Sequence, residues 1–516
     1  MPDASTDPPR ASSLPLDEHN RSLLARVRPE GWTNPQPAPG YHLVVIGGGT
    51  AGLVAAVGAA GLGAKVALVE RDLLGGDCLN VGCVPSKALI RAGRAMAELK
   101  RAAQLGLRGA EAVSADFPAV MARLRSSRAR LSAHDSAERL KGLGIDLFLG
   151  QGRFSGPETV EVEGRALRFS RAVIATGSSP GGLPFKGLME TGYLTNRDVF
   201  NLNELPRRLA VLGTGPLGCE LAQAFQRLGA AVVMVGRSGQ IMTREDPETA
   251  ALVARSMVRD GLDLRLNTNV TLVERGMGGK RLGKLLHLES GGRAEVVEVD
   301  EILVGAGRDP NLAGLDLEAA GVDHDRRQGV KVDDYLRTTN HRIFAAGDVC
   351  LAQKFTHAAD AAARLVIQNA LFAPTARWSS QQVPWCTYTD PEVAHVGLYP
   401  DQANKKGVVV ETIRVEFNDL DRAVLDAEED GLLKLHLQKG GDRILGATLA
   451  AAHAGEMIGE IALAMRAGLG LKTVGQVIHP YPTQAEVFKK AADTFNHTRL
   501  TPAVKRWIGR WLAWRG

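Results

Sequence analysis

The sequence predicts an α/β protein that contains two copies of a β-α-β unit and a separate α/β domain near its C-terminal end. An apolar strand, a glycine turn, a small-residue helix and a second apolar strand follow one another at residues 42–70, and the same order recurs at residues 208–237. From about residue 381 the pattern changes to alternating strands such as "GLLKLHLQ" and then to helical "GEMIGEIALAMRAGLG". Hydrophobic periods of this kind predict strands and helices respectively, and repeated β-α-β units predict parallel sheets covered by helices.

Length and charge limit the classes of protein to consider. A chain of 516 residues is too long for one hydrophobic core, so we expect several domains. The net charge is +5, but basic and acidic residues are interspersed without a long run of one sign, and nothing indicates nucleic-acid binding. The first twenty residues contain no basic segment followed by an apolar one, so we expect a cytoplasmic protein.

The first β-α-β unit contains a glycine fingerprint. In "HLVVIGGGTAG" the strand leads into Gly47, Gly49 and Gly52, and the strand "KVALVE" ends at Glu70. The first glycine permits a tight turn, the second lets a pyrophosphate approach the backbone, and the third lets helix and strand pack closely. Glu70 is placed to bond a ribose hydroxyl. The unit therefore predicts a dinucleotide site, and the alternative is a glycine-rich turn without function.

The second β-α-β unit repeats this fingerprint but changes the residue at its end. Its fingerprint glycines are Gly213, Gly215 and Gly218. The position equivalent to Glu70 is Gly236, which Arg237 follows directly, and Arg244 lies nearby. Arginines in place of the acid favour a ribose 2′-phosphate and therefore NADPH. The alternative is that both arginines are solvated surface residues and that NADH binds equally well.

Two dinucleotide sites in one chain indicate a tightly held flavin and an exchangeable nicotinamide. Three further apolar strands end in glycine turns, in "AVIATGSSP", "EILVGAGRDPN" and "RIFAAGDV", and Asp348 in the last of them could bond a ribityl chain. The candidate cofactor contacts in these strands are Thr176, Gly177, Gly307, Arg308, Gly347 and Asp348. We therefore predict two Rossmann-like dinucleotide-binding domains, for FAD and NADPH, and a C-terminal α/β domain. The predicted ranges are an extension (1–40), an FAD domain (41–190 and 309–380), an NAD(P)H domain (191–308), a dimerisation domain (381–495) and a basic Trp-rich tail (496–516).

Two of the five cysteines, Cys78 and Cys83, lie in the stretch "GGDCLNVGCVPSK". On an ideal helix, side chains five residues apart diverge by about 140°, so these two could bridge only across a distorted turn, which Gly82 makes feasible. A structural disulphide and a zinc site are the alternatives. The first is unusual in a reducing cytosol, and the second lacks two further ligands nearby.

Together these motifs resemble the class I pyridine nucleotide-disulphide oxidoreductases, the family of dihydrolipoyl dehydrogenase, glutathione reductase and mercuric reductase. The resemblance extends over residues 41–495 and is most evident with mercuric reductase-like flavoproteins. It implies a homodimer that passes hydride equivalents from NADPH through FAD to a Cys78–Cys83 disulphide and on to a disulphide, a soft metal ion or another small acceptor. It also implies that Cys83 is the thiolate beside the flavin, that Cys78 meets the substrate, and that Lys87 pairs with Glu220.

The C-terminal motif departs from the family's disulphide reductases. Those proteins place a histidine before Pro-Thr and a glutamate five residues later, both reaching the partner's active site, whereas this sequence has Tyr481 and Glu486. A tyrosine with a pKa near ~10 can donate a proton at neutral pH but is a poor base. Mercuric reductases share this tyrosine, and their second active-site tyrosine matches Tyr193. His479 would point to the same side as Tyr481 in an extended segment and is a candidate substitute base.

Other departures keep the acceptor open. Mercuric reductases end in a vicinal cysteine pair, whereas the remaining cysteines here are isolated core candidates, Cys219, Cys350 and Cys386. We predict no resident metal site. One alternative function is a dihydrolipoyl dehydrogenase, against which Tyr481 and Arg237 argue. Another is a flavin-bearing thiol sensor or metal buffer without substantial turnover.

The two ends of the chain are the least informative segments. Residues 1–40 are Pro-rich and polar and contain one short amphipathic piece, "EHNRSLLARV", so we expect a flexible arm with a helix that docks on the body. The tail "VKRWIGRWLAWRG" spaces tryptophans along a helix with basic residues between them, namely Trp507, Trp511 and Trp514 with Lys505, Arg506, Arg510 and Arg515. This pattern suits an interfacial membrane helix, but Gly509 and the short length weaken it, so we expect a helix packed on its own dimer, with weak peripheral membrane contact as the alternative.

Overall fold

The computed structural model describes residues 14–109, 112–182, 185–276, 283–305 and 307–516. The first element is α1 (Glu18–Val27), which begins where the Asp17 side chain accepts a hydrogen bond of 2.8 Å from the backbone N–H of Asn20. The predicted helix "EHNRSLLARV" is confirmed, because it coincides with α1. Residues 1–13 of the predicted arm lie outside the described residues.

Residues 41–182 contain most strands of the first sheet and most of the helices packed on it. The strands are β1 (Tyr41–Ile46), β2 (Val66–Glu70), β3 (Asp146–Leu149), β4 (Gly152–Gly156), β5 (Thr159–Val162), β6 (Arg165–Ile174) and β7 (Ser178–Pro180). The helices are α2 (Thr50–Gly61), α3 (Gly76–Val81), α4 (Cys83–Arg101), α5 (Phe117–Leu131) and α6 (Ala137–Gly142). The sheet order is β3-β2-β1-β6-β5-β4, with β1 parallel to β2 and β6. The turn after β1 therefore lies at the centre of the sheet, where ligands bind in open α/β folds.

Residues 185–310 form a second parallel sheet and a small antiparallel one. The strands are β8 (Arg208–Leu212), β9 (Ala231–Val235), β10 (Asp263–Arg265), β11 (Asn269–Arg275), β12 (Lys284–Ser290), β13 (Arg293–Val299), β14 (Glu301–Val304) and β15 (Arg308–Pro310). The helices are α7 (Leu188–Thr191), α8 (Pro216–Arg227) and α9 (Pro247–Arg259). The parallel order is β10-β9-β8-β14, and β11-β12-β13 are antiparallel. Strand β15 pairs with β7 and so returns the chain to the first unit.

The following segment completes the first sheet. It contains β16 (His324–Asp325), β17 (Gly329–Val330), β18 (Ile343–Ala345) and α10 (Thr356–Leu371). Strand β18 lies parallel to β6 with Ile343 opposite Ala172, which makes seven strands in this sheet among the described residues. Helix α10 packs on α2 so closely that a Cβ on Gly58 would lie 2.5 Å from Ile367 Cδ1. The first unit is thus a mixed sheet packed against α2 and α10, in which β3, β2, β1, β6 and β18 are parallel and the β4–β5 and β5–β6 pairs are antiparallel.

Residues 381–516 form the separate C-terminal α/β domain and the tail. Its strands are β19 (Trp385–Thr387), β20 (Glu392–Gly397), β21 (Val410–Glu416), β22 (Leu432–Gln438) and β23 (Ile444–Ala451). Its helices are α11 (Pro400–Lys405), α12 (Asp421–Leu425), α13 (Ala454–Arg466), α14 (Leu471–Gly475), α15 (Glu486–Arg499) and α16 (Pro502–Arg515). The sheet is antiparallel in the order β19-β20-β23-β22-β21. The predicted α/β architecture of two β-α-β units and a C-terminal domain is confirmed.

Several short 3-10 segments connect the helices and strands. The 3-10 segments are Ala102–Leu105, Ser132–Asp135, Val199–Asn201, Trp378–Ser380 and Phe417–Asp419. None of the helices in the described part of the chain combines the length and the hydropathy that crossing a bilayer requires.

Two close contacts join the first unit to the second unit and to helix α1. Gly93 in α4 lies against α8, where a Cβ would be only 3.2 Å from Ala224 Cα, so the helix that begins at Cys83 crosses the second unit at close range. At the other side, the fully buried Arg128 donates bonds of 2.6 Å to Asn20 Oδ1 and 2.7 Å to the Asn80 carbonyl. The first contact brings the two units together, and the second docks α1 on the body.

Candidate active site

The two cysteines of the predicted redox motif lie on either side of a helix break. Cys78 is in α3 and Cys83 is the first residue of α4. Gly82 between them has φ −130° and ψ −115°, and a Cβ there would lie 2.7 Å from the Asp77 carbonyl oxygen, so this turn requires glycine. The break brings the two thiols close enough for Cys78 to lower the pKa of Cys83, which their divergence on one continuous helix would prevent. The predicted distorted turn at Gly82 is confirmed, and both thiols are free in the structure.

Cys83 has the surroundings of a stable thiolate. The pKa of Cys83 is lowered to about 6, chiefly by the hydrogen bond from the Cys78 thiol. Burial raises this pKa, whereas a hydrogen bond from Thr356 and the charge of Lys87 lower it further. The Thr356 Oγ1 atom lies 3.2 Å from Cys83 Sγ. Bonding to Cys83, burial and the Cys83 charge raise the pKa of Cys78 well above its ordinary value. At neutral pH the pair therefore keeps its negative charge on Cys83 and its proton on Cys78.

Lys87 and Glu220, predicted as a pair, are brought together by the crossing of α4 and α8. The Lys87 Nζ atom lies 2.8 Å from Glu220 Oε2, and the Glu220 side chain is only 5% exposed. The second carboxylate oxygen of Glu220 accepts a 2.8 Å bond from the Tyr388 backbone N–H. Lys87 Nζ also lies 4.5 Å from the centre of the Tyr388 ring. Glu220 thus holds the Lys87 ammonium group near the Cys83 thiolate, and the Tyr388 ring of the C-terminal domain makes a further contact with that ammonium group.

Arg308 connects α3, the helix that contains Cys78, to the end of the first sheet. Its guanidinium pairs with Asp77, the neighbour of Cys78, and its Nε donates a 2.7 Å bond to Ser178 Oγ. Ser178 in turn donates a 2.6 Å bond to Asp348 Oδ2, which lies 3.6 Å from Arg308 Nε. Two predicted cofactor residues, Arg308 and Asp348, therefore lie in one polar network beside the cysteine helix.

The remaining predicted cofactor contacts lie in turns beside strands: Thr176 and Gly177 follow β6, Gly347 follows β18, and Gly307 directly precedes β15. Thr176 donates its hydroxyl to a backbone carbonyl at 2.8 Å. Gly177 and Gly347 have φ of +69° and +81°, values that favour glycine. The Gly307 carbonyl accepts a backbone bond of 3.1 Å next to the β7–β15 pair. These turns place backbone groups, rather than large side chains, at the carboxyl ends of the strands.

The first glycine fingerprint has the geometry that a pyrophosphate requires. Gly47 has φ +108°, and a Cβ there would lie 2.3 Å from the Ala175 carbonyl oxygen. A Cβ on Gly52 would lie 1.7 Å from the Gly47 oxygen, so α2 and β1 pack without side chains between them. At Gly49 the nearest atom to an added Cβ is 3.7 Å away, and no side chain caps α2 there. The N-terminal amides of α2 are therefore accessible to an anion, and the residues fit FAD.

Glu70, the predicted ribose ligand, is held at the end of β2. Its side chain is buried, with Oε2 accepting a 2.5 Å bond from the Gly48 N–H and Oε1 a 2.6 Å bond from the Asp72 N–H. The carboxylate lines a cavity that also includes Gly47 and Thr176. This placement is compatible with the predicted role, which stays a prediction.

Replacing Gly52 with alanine is expected to cost several kcal/mol of unfolding free energy, because the new methyl group would overlap the Gly47 carbonyl oxygen. Retention of FAD should be lost with it. Gly61 lies in the same helix with nothing within 4 Å of an added Cβ, so Gly61→Ala should be neutral or stabilising by up to about 1 kcal/mol. Thermal unfolding and flavin content after gel filtration measure both effects. Equal behaviour of the two variants would contradict the packing role of Gly52.

The second fingerprint repeats this geometry. Gly213 has φ +111°, and a Cβ on Gly218 would lie 2.3 Å from the Gly213 oxygen. The atom nearest to an added Cβ on Gly215 is 4.0 Å away. At Gly236, an added Cβ would lie 2.5 Å from the Thr214 side chain. The second unit therefore has the same glycine turn before a helix N-terminus as the first, which we call its anion cradle. It has no carboxylate at the end of β9.

Arg237 and Arg244, the predicted 2′-phosphate ligands, lie close to this cradle in the sequence and are both exposed. Within the described residues, neither side chain has a hydrogen bond or an ion pair to another protein group. Both guanidinium groups are thus available to a ligand. Their phosphate-binding role stays a prediction.

The C-terminal motif lies on the surface of this chain. Tyr481 is 70% exposed, and its hydroxyl donates a 2.8 Å bond to Asp421 Oδ2. That bond raises the pKa of Tyr481 above its ordinary value. Glu486 is the half-buried first residue of α15. Neither residue has a described contact with the cysteine pair of its own chain.

His479 does not share the surroundings of Tyr481, so the predicted common orientation is wrong. The His479 side chain is only 5% exposed, and its Nε2 lies 3.1 Å from Glu460 Oε1 on α13. This contact turns the ring toward the protein, whereas Tyr481 points to solvent. Tyr193 is half-buried against the apolar core of the second unit, with its hydroxyl 3.5 Å from Met189 Sδ. None of its described contacts reaches the cysteines.

A buried carboxylate that the sequence analysis missed joins the second unit to the C-terminal domain. Glu245 accepts bonds of 2.7 Å from Trp385 Nε1 and 2.7 Å from the Tyr399 hydroxyl. His395 lies between those rings, 4.5 Å from one and 3.8 Å from the other. Burial raises the pKa of Glu245, whereas the two donated bonds lower it. The cluster fixes the position of β19, which precedes Tyr388 at the cysteine site.

Comparison with known proteins covers most of the chain. Residues 41–364 match the family model described as pyridine nucleotide-disulphide oxidoreductase, and residues 383–492 match that of its dimerisation domain. A mercuric reductase of Staphylococcus aureus is 35% identical over 456 residues, which are 88% of this chain and 82% of that protein. A dihydrolipoyl dehydrogenase of Thermus scotoductus is 36% identical over 463 residues, with 88% and 97% covered. The Cu(II) complex of the HOCl-induced flavoprotein disulfide reductase RclA from Escherichia coli is similar at a TM-score of 0.77 and 26% identity, covering 88% of this chain and 99% of that one.

Two dinucleotide units beside a paired-cysteine motif define a flavin-dependent oxidoreductase that uses a pyridine nucleotide. The chain belongs to the pyridine nucleotide-disulphide oxidoreductase family. The predicted family, its fold and its cofactors FAD and NAD(P)H are confirmed, and the matched dimerisation domain supports the predicted homodimer.

Proposed function

We propose that this enzyme passes electron pairs from NADPH to the Cys78–Cys83 pair and then to a thiol-binding acceptor, for which a soft metal ion is the leading candidate and a disulphide the second. The observation that supports the proposal is the state of Cys83. Its pKa is lowered to about 6 while that of Cys78 is raised, so the pair stores one thiolate and one thiol at neutral pH. A soft nucleophile of this kind binds soft metal ions and attacks disulphides.

The electron balance is simple. One hydride from NADPH brings two electrons and converts a Cys78–Cys83 disulphide into one thiolate and one thiol. FAD, when bound, supplies the two-electron transfer between the nicotinamide and the sulfurs. Lys87 and Thr356 stabilise the negative charge on Cys83. Reduction of a divalent metal ion or of a substrate disulphide then returns the pair to the oxidised state and completes one turnover.

The character of Tyr481 favours a metal ion over a dithiol substrate. Its hydroxyl bond to Asp421 raises its pKa, so it stays protonated and cannot accept a proton from a dithiol at neutral pH. Reduction of a metal ion needs no such base. Relatives named mercuric reductase, and the Cu(II) complex of a structural relative, agree with this choice.

Dihydrolipoyl dehydrogenase activity, with the disulphide of lipoamide as substrate, is the form of the second candidate considered, because a relative of that name is 36% identical to this chain. It requires proton removal from a dithiol, for which His479 would be the imidazole base of the motif. The buried contact of His479 with Glu460 argues against that role.

The test is an anaerobic NADPH titration of the purified holoenzyme, followed by acceptor screening. Two-electron reduction should produce a long-wavelength absorbance band from the Cys83 thiolate beside the oxidised flavin. Turnover should then be faster with Hg²⁺ or Cu²⁺ than with lipoamide. Bleaching without that band would contradict the cysteine pathway, whereas efficient NADH oxidation with lipoamide would instead favour the second candidate.

The exposed Arg237 and Arg244 are proposed to bind the 2′-phosphate of NADPH. Replacing both with alanine should lower kcat/KM for NADPH about a hundredfold, because two charge-assisted hydrogen bonds are lost, and should leave NADH little changed. The matched control is Arg255→Ala, an exposed arginine on the nearby helix α9. Steady-state kinetics with both nucleotides measure the ratio. An equal fall with NADPH and NADH would contradict the assignment.

The homodimer is proposed to complete the site. Several large apolar side chains of the matched dimerisation domain are exposed in the single chain, namely Leu463, Leu469, Val477, Ile478 and Tyr481. Burying them against a second copy would remove an unfavourable surface and could bring Tyr481 and Glu486 to the partner's cysteines. A cytoplasmic location is part of the same proposal. Contact of the C-terminal helix with lipid is a separate one.

A further inference from the structure

Helix α16 (Pro502–Arg515) is an amphipathic helix that no other described part of the chain covers. None of its residues is buried, and Trp507 and Trp514 are 67% and 81% exposed. The helix has its own start, because the Thr501 side chain accepts a bond of 3.3 Å from the Val504 N–H. Large exposed apolar surfaces mark interaction sites. The question is what this one binds.

The tryptophans share one side of the helix. With about 100° between successive residues, Trp507, Trp511 and Trp514 fall within about 60° of one another. Lys505 and Arg506 lie well outside that arc. The Arg515 guanidinium lies 4.6 Å from the centre of the Trp511 ring, next to the apolar face. Arg510 and Arg515 each lie about 40° from an edge of the tryptophan arc, so basic residues flank the tryptophans, a pattern that suits helices lying in the plane of a membrane interface.

The charge of the tail indicates the chemistry of the partner. No acidic residue follows Asp493, whereas the basic residues in that segment are Arg499, Lys505, Arg506, Arg510 and Arg515. We propose that α16 docks on the surface of an anionic phospholipid bilayer. The tryptophans would enter the headgroup region and the basic side chains would contact lipid phosphates.

A second copy of the chain fits this helix less well. Two facing α16 helices would bring uncompensated positive charges together, which opposes association. The matched dimerisation domain covers residues 383–492 and ends before the tail. The proposal is independent of the electron acceptor, and a peripheral helix would hold the enzyme at a membrane while its redox site stays unaltered.

The test is flotation of the full-length holoenzyme with phosphatidylglycerol vesicles and with phosphatidylcholine vesicles. Binding should require phosphatidylglycerol and weaken at higher salt. Replacing the three tryptophans with alanine, or Arg506 and Arg510 with glutamate, should lower the partition coefficient at least about tenfold. The matched control is the same charge change at Arg326 and Arg327, two exposed arginines far from the tail in sequence. NADPH oxidation should be equal in all four proteins.

Two results would overturn the proposal. One is a wild-type protein that does not bind phosphatidylglycerol vesicles at low salt. The other is a tail variant that binds phosphatidylglycerol vesicles as well as the wild type does. If the triple variant is poorly folded by circular dichroism, Trp514→Ala alone replaces the most exposed tryptophan and gives the same readout.

Discussion

Alanine at Cys78 is expected to lower acceptor-dependent NADPH oxidation by at least about a thousandfold. Without this residue no disulphide can form with Cys83, so the electron pair cannot reach a thiol-binding acceptor by the proposed route. Cys83 also loses the hydrogen bond that contributes most to its lowered pKa. Steady-state turnover with Hg²⁺ or Cu²⁺ as the acceptor measures the effect.

The upstream half of the enzyme should survive this substitution. Cys78→Ala should still bind FAD and should be reduced by NADPH, since neither dinucleotide cradle includes the thiol. Cys219→Ala is the matched control, because that thiol is fully buried and burial raises its pKa, so it is chemically inert. Retained turnover in the Cys78 variant, or a comparable loss in the Cys219 variant, would show that electrons leave by another path.

The fold and both cradles could be predicted from the sequence because they depend on local rules. Glycine is required at positions 47, 52 and 218, where an added Cβ would lie within 2.3 Å of a backbone oxygen, and Gly213 has a φ of +111° that favours glycine. The hydrophobic pattern of each strand and helix and the glycines between them occur within one short segment of the chain, so the sequence alone reveals them. The break at Gly82 follows from the same logic, since one residue type makes the turn between two cysteines.

The missing parts of the site are those that tertiary packing brings from far along the chain. Thr356, which bonds Cys83, is 273 residues away from it, and no motif identifies this threonine. Tyr388 meets Lys87 only because β19 of the C-terminal domain reaches the crossing of α4 and α8. Glu245 fixes that strand through Trp385, a contact between two domains that composition and periodicity do not encode.

The errors and open points have a related cause. His479 was expected beside Tyr481 from alternation along an extended segment, but a glutamate on a different helix, Glu460, binds the imidazole. The predicted cofactor contact of Arg308 stays a prediction, and in the structure its guanidinium lies between Asp77 and Ser178. In both cases a charged partner distant in sequence decides where the side chain points.

Methionine at Lys87 is expected to lower turnover about a hundredfold at neutral pH by removing the cation that stabilises the thiolate. The Lys87 charge lowers the pKa of Cys83 whereas the Glu220 charge raises it, so the variant keeps only the raising charge. Alkylation of Cys83 by iodoacetamide should be half-maximal near pH 6 in the wild type and at a higher pH in the variant. Because the thiolate forms above the pKa, the deficit should be greatest below the new midpoint and should shrink as the pH rises.

A second substitution separates this electrostatic effect from simple loss of structure. Adding Glu220→Gln to the Lys87 variant removes the buried, unpaired carboxylate, so the Cys83 midpoint should move back toward lower pH. The amide oxygen could still accept the Tyr388 N–H bond, which keeps the local packing. Arg91→Met on the exposed side of α4 is the control and should leave the alkylation midpoint unchanged. If the midpoint stayed near pH 6 in the Lys87 variant, the lysine would not be what stabilises the thiolate, and the hydrogen bonds from Cys78 and Thr356 would have to suffice.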